Sequence, residues 1–181
     1  MSANLIGAIA AVAVLGFWML GAYNRLVRLR QVMTAAFTLV DAQLRQRHEL
    51  LGELIEASVV TLADMPEAAD AVDAARRQAR VAADHAAKRA ASVGRMASLV
   101  LAEQVLRTAV SHLVTLVKVR PALRNDPRLR EVMQNLSTTQ HRLSAARDSF
   151  NAAVENYNFG VRQFPTRLIA GMLGFQAAGR L

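Results

Sequence analysis

The chain is apolar before it is periodic. Leu5 to Tyr23, LIGAIAAVAVLGFWMLGAY, is a run of nineteen residues without a charge, and a helix of roughly 20 apolar residues spans the hydrocarbon core of a bilayer. Trp18 and Tyr23 lie toward one end of it, where amphipathic rings favour the membrane interface. A cleaved signal peptide would want a basic start and a small-residue cleavage site. Nothing before Leu5 is basic, and the run passes without a break into a helical pattern, so an uncleaved anchor is expected. Leu26, Leu29, Met33, Ala36, Val40 and Leu44 then step by three or four residues, and Leu51, Leu54 and Leu62 continue the stripe. That spacing predicts one helix over 24–62, fused to the span and reaching about 58 Å at 1.5 Å per residue. Asp64 and Pro66 supply its stop and the start of the next helix.

Three more helices follow from the same rule. Over 67–92, Val72, Ala75, Ala79, Ala82 or Ala83, and Ala86 make a thin apolar stripe, while Arg76, Arg77, Arg80, Lys88, Arg89 and Arg95 form a basic edge. Ser92-Val93-Gly94 is the break before a third helix over 96–119, with the seam Met96, Leu99, Glu103, Leu106, Val110, Leu113 and Val117. Pro121 ends it, and residues 124–127, RNDP, supply a turn and a cap. The last helix, 128–163, carries Leu129, Val132, Leu136, Leu143, Arg147, Phe150, Val154, Tyr157, Val161 and Phe164, and Pro165 closes it.

Four amphipathic helices with short turns predict an all-α fold: an N-terminal transmembrane helix continuous with a long antiparallel four-helix bundle. The expected divisions are an anchor at 1–23, a bundle at 24–165, and an apolar and basic tail at 166–181 near the membrane. The second and third helices reach only about 38 Å. The stalk of Tyr23 to Val40 against Phe150 to Phe164 is therefore expected to have one side uncovered, which self-association would bury. Tyr23, Asn24, Tyr157, Asn158, Phe164 and Pro165 are expected to meet near the membrane, because the first helix starts where the last one ends.

Three seams are interrupted by charge: Arg47, Glu103 and Arg147. An isolated buried charge is very costly, so each needs a partner. Glu103 is the one carboxylate in phase with a seam, and it suits either arginine. Asp41, Gln43 and Asp148 are within helical reach as further members. The expectation is an internal polar layer, which sets helix register or, alternatively, binds a small ligand. Breaking it at Arg47 by Arg47→Ala is expected to cost on the order of 3–5 kcal/mol.

Charge and composition narrow the chemistry. The net charge is +8, carried almost wholly by arginine, and there is no cysteine, which removes thiol catalysis and thiolate metal sites. Arg25, Arg28 and Arg30 follow the span and no basic residue precedes it. The positive-inside rule then puts the N-terminus outside and the bundle in the cytoplasm, with those arginines at anionic headgroups. The residues three before His48, His85, His112 and His141 are Arg45, Ala82, Ala109 and Thr138, so the Glu-x-x-His of di-iron bundles does not occur. There is no phosphate loop, HExxH or GxSxG. No enzyme, metal or cofactor is expected. Nucleic acid ranks below lipid as a partner, because the basic edge has no aromatic interleaving and no known motif.

Two blocks resemble the LemA family. In YNRLVRLRQVMTAAFTLVDAQLRQRHELLGELI (23–55), Tyr23, Asn24, Leu26, Val27, Leu29, Arg30, Asp41, Gln43, Leu44, Arg47 and Leu50 match its pattern. Phe37 stands for Trp, Glu49 for Asp and Gly52 for Pro. In LSAARDSFNAAVENYNFGVRQFPTRLIAGMLGF (143–175), Ala146, Arg147, Asn151, Val154, Tyr157, Asn158, Phe164, Pro165, Ala170, Gly174 and Phe175 match. Lys118, Arg120 and Gln140 depart from it. The resemblance implies a single-pass bacterial membrane protein with a long helical domain, in the inner or an organelle membrane, and no reaction. Some relatives are linked to membrane-bounded organelles. The function expected is a scaffold or assembly protein that self-associates and organises membrane or partner proteins. The alternatives are a sensor binding a small ligand at the polar layer and a lipid-binding, membrane-shaping module.

Overall fold

The computed structural model describes residues 3–59, 66–164 and 166–181. Among them it has six helices: α1 (Ala3–Val59), α2 (Pro66–Ala87), α3 (Val93–Val119), α4 (Pro121–Arg124), α5 (Pro127–Arg162) and α6 (Thr166–Met172). Leu62, Asp64 and Pro165, where the sequence suggests a stripe position, a cap and a stop, lie outside the described residues.

α1 has 57 residues, about 85 Å of unbroken helix. Residues 7–21 are exposed throughout. From Leu26 the same helix becomes a core element, with Leu26, Met33, Val40, Leu44, Leu51 and Leu54 at most 1% exposed. The apolar start is long enough to cross a membrane. α3 meets the same length and composition test, but Leu99, Leu106 and Leu113 bury it in the bundle, and Glu103 lies in its core seam.

Local chemistry fixes the helix boundaries. Ser92 caps α3 by accepting from the Arg95 N–H, so Gly94 falls inside the first turn rather than at the break. Arg89 and Ser92 donate back to Ala86 and Arg89 in tight turns, which ends α2 at Ala87, short of the expected 92. Asp126 accepts from the Arg128 and Leu129 N–H groups, with Pro127 at the first position of α5.

α1 pairs with α5 over most of its bundle portion, α2 pairs with α3, and α2 lies on α1. α3 and α5, which would close the ring, have at most a few close backbone approaches. Two apolar cores result. The one nearer the apolar span joins Leu26 to Leu44 with Leu143 to Val161, Met96 and Leu99. The distal one joins Leu51 and Leu54 with Leu106 to Val117, Leu129 and Val132.

The stalk is covered, contrary to the sequence expectation of a bare side. α6 packs on both α1 and α5, burying Ile169 and Ala170. Gly174 then turns the chain back with φ of +72°, a conformation glycine adopts freely. Phe175 meets Tyr23 edge to face at 6.1 Å. Residues 175–181 run back along α5 rather than staying beside the apolar start of α1. Asn158 donates to the Ala178 carbonyl (3.0 Å) and accepts from its N–H (2.7 Å). Asn151 does the same with the Leu181 oxygen and N–H, at 2.8 and 2.9 Å. A Cβ on Gly179 would come within 2.9 Å of the Val93 Cα, so only glycine lets the strap lie against α3. The sequence reading missed this strap because short helices and a Gly/Ala-rich tail carry no periodicity.

Each Asn→Ala change at 151 or 158 leaves two backbone groups of the strap without their partner. At roughly 0.5–1.5 kcal/mol per neutral bond, either variant is expected to lose about 1–3 kcal/mol. Hydrogen exchange of residues 175–181 should rise with it, and unchanged protection there would refute the clasp.

Candidate functional site: a polar layer beside an open cavity

Arg47, Glu103 and Arg147 come from three helices, α1, α3 and α5, and the fold brings them together. One Glu103 oxygen, Oε2, accepts from Arg47 at 2.5 Å and from Arg147 at 3.1 Å. The three side chains are 11%, 3% and 21% exposed respectively. The layer sits between the two cores, with Leu44 and Leu99 on one side and Leu51 and Leu106 on the other. Arg147 reaches it from one turn beyond Leu143 on α5.

His48 is a buried neighbour to which the sequence reading gave no role beyond the absence of a Glu-x-x-His motif. Its Nε2 lies 3.7 Å from the other carboxylate oxygen, Glu103 Oε1, too far for a hydrogen bond but close enough to act electrostatically. The missed signal was its place next to Arg47, on the α1 face that turns toward α2. Arg76 of α2 donates to the His48 carbonyl at 3.2 Å. Asp41 and Asp148 are not members: Asp41 accepts from Arg45 on the surface, and Asp148 is exposed. Gln43 makes no bond to the layer either, and its Oε1 is buried without a partner.

Burial pushes the Glu103 carboxyl up, but the His48 imidazole and the two arginines outweigh it, and the group sits below the usual carboxylate range. Arg147 is pushed down by burial and by the positive charges of Arg47 and Arg107, against the pull of Glu103. Two guanidinium charges share one carboxylate, and the Nε atoms of both arginines are buried without a hydrogen-bond partner.

Beside the layer, the gap between α3 and α5 opens into a cavity of about 580 Å³ floored by α1. Arg47, Arg107, Gln140 and Arg147 line the end nearer the apolar span, and Val110, Val114, Met133 and Leu136 line the distal end. No group of three or more His, Asp or Glu side chains is placed to hold a metal ion among the described residues.

The sequence pattern of one known family matches residues 36–180, most of the chain and the whole of this layer. The chain belongs to the LemA family. No curated protein matches it. The family match takes in the whole of the second block and residues 36–55 of the first, so Tyr23, Asn24, Leu26, Val27, Leu29 and Arg30 lie outside it. In this LemA protein the residues expected to meet where α1 leaves the apolar span are only partly assembled. The end of α5 does lie beside α1, where Trp18, Arg25, Gln163 and Phe164 line one groove. Tyr157 is buried and Asn158 holds the strap. Asn24 is exposed, and Phe164 is 77% exposed, because α6 presents Thr166, Ile169 and Ala170 to the core in its place. Arg25, Arg28 and Arg30 are all exposed on the first turns beyond the apolar span.

Sharing changes which residue matters most. Arg47→Ala leaves Glu103 still bonded to Arg147 and should cost about 1.5–3 kcal/mol, the worth of a charged hydrogen bond. Glu103→Ala strands two guanidinium groups and should cost more, about 3–5 kcal/mol. The triple change Arg47→Met, Glu103→Leu, Arg147→Met should cost less than Glu103→Ala alone, and chemical denaturation of the four proteins checks the order.

A carboxyl depressed in the folded state stabilises it above the unfolded value, here 4.5, and loses that contribution as pH falls through the folded value. The stability gap between wild type and Glu103→Gln should therefore narrow steadily as pH drops below 4.5. A gap independent of pH, measured by urea melts from neutral to acid, would contradict a charged Glu103.

Proposed function

We propose that this LemA protein is a non-catalytic, single-pass scaffold that holds a rigid bundle at the cytoplasmic face of a bacterial inner or organelle membrane. The observation that supports it most is α1 itself. One helix is bare over residues 7–21 and built into the core from Leu26 onward, so anchor and bundle form one rigid unit. Exposed Arg25, Arg28 and Arg30 meet anionic headgroups on the cytoplasmic side, by the positive-inside rule. Self-association and binding of membrane-protein partners belong to this reading. With the stalk covered by α6 and the strap, the contacts lie on the bare span and the outer faces of the bundle. Nucleic acid is not a partner in this reading.

A second reading, ligand sensing at the polar layer, is favoured by the cavity that opens beside Arg47 and Arg147. Membrane shaping by lipid binding has only the three exposed arginines behind it.

Alkaline extraction should leave the full chain in the membrane pellet and release a chain starting at Tyr23. Protease added outside spheroplasts should spare the bundle. Light scattering in mild detergent should give one discrete assembly larger than a single chain. Release of the full chain by alkali would refute the anchor, and a monomer would refute the self-associating scaffold.

A further inference from the structure

The cavity between α3 and α5 has a head and a tail. Its membrane-proximal end carries three arginines, and no carboxylate lines any part of it. Glu103, behind the wall, balances one of those charges and leaves two in excess. Its distal end is a sleeve of Val110, Val114, Met133 and Leu136, with Leu51 and Leu106 below. A polar layer that only set register would need neither the excess charge nor the apolar extension, because Glu103 alone with one arginine closes that account.

We propose that this cavity binds a single-tailed carboxylate amphiphile, a fatty-acid-like anion, with its carboxylate at Arg107 and Arg147 and its alkyl chain in the distal sleeve. The proposal deepens the ligand-sensing reading and is independent of the scaffold. Arginine forks receive a carboxylate in a two-bond geometry, and Arg107 and Arg147 both line the cavity, Arg107 exposed and Arg147 partly so. An arriving anion also relieves the mutual repulsion of Arg47, Arg107 and Arg147 around Arg147. The volume, about 580 Å³, falls within the roughly 300–1,000 Å³ of small-molecule sites.

The test uses the full chain in lipid nanodiscs with ¹³C-methyl methionine, the Met133 signal being identified by its loss in Met133→Leu. Octanoate, octyltrimethylammonium and octanol are titrated in turn. Octanoate is expected to shift the Met133 methyl saturably, while the cation and the alcohol do not. Arg107→Gln, on an exposed side chain outside the buried pair, should weaken octanoate about tenfold, the loss of one charged contact. Val114→Trp, which fills the sleeve, should abolish the shift. A saturable shift with the cation or the alcohol would keep the cavity as a ligand site and overturn the anionic class. No shift with any of the three would overturn both readings of the cavity. A Met133 shift that tracks protein concentration without added amphiphile would assign the groove to a second copy and overturn the proposal.

Discussion

The antiparallel pairing of α1 with α5 is the contact on which the rest of the molecule is built. Each helix presents one continuous stripe, and between them they bury Leu26 through Leu54 against Leu129 through Val161. The α2–α3 hairpin is shorter and docks chiefly through α2, whose stripe is alanine and valine. Small side chains let α2 sit close to α1. They supply little bulk, so α3 is held away from α5. Both irregular features of the structure follow from that mismatch. Where the hairpin ends, α6 and the strap fill the gap. Where α3 stands off, the cavity opens.

The polar layer marks the level at which three helices of different packing distance must agree. An apolar layer would tolerate a slip of one turn, since leucines and valines are nearly interchangeable along these seams. A carboxylate bound to two guanidinium groups does not, because a slip of one turn, about 5.4 Å, leaves charges buried without partners. Register is thus set at Arg47, Glu103 and Arg147, and the apolar contacts above and below supply the bulk of the stability. Arg47 and Arg147 of this layer also line one end of the cavity, with Glu103 behind its wall.

Much of this was legible in the sequence, for reasons that can be given residue by residue. The long helices were visible because their seams repeat every three or four residues over many turns. The layer was visible because each charge fell where an apolar residue was due. What stayed hidden has a common cause: it depends on distance between helices rather than on spacing within one. The exposure of Phe164, which continues the α5 stripe perfectly well, is decided by α6 taking its place. The strap is held by Asn151 and Asn158, seven residues apart and so on one face of α5, and that pairing was the available clue. The cavity has no local signature, because its lining residues read as ordinary seam positions until α3 is seen to stand off. His48 was hidden in the same way: periodicity placed its neighbour Arg47 in the seam and said nothing of the face toward α2.

The unbroken course of α1 through residues 22–26 has a mechanical consequence. An α-helix advances 1.5 Å and turns 100° per residue, and no glycine or proline lies between Ala22 and Leu51 to absorb a twist. Anchor and bundle therefore share one azimuth, as a key and its bow do. Which way each face of the bundle points relative to the apolar span is fixed by the number of residues between Trp18 and Leu26. Adding one residue there would swing every outer surface of the bundle by more than a quarter turn while leaving the core intact.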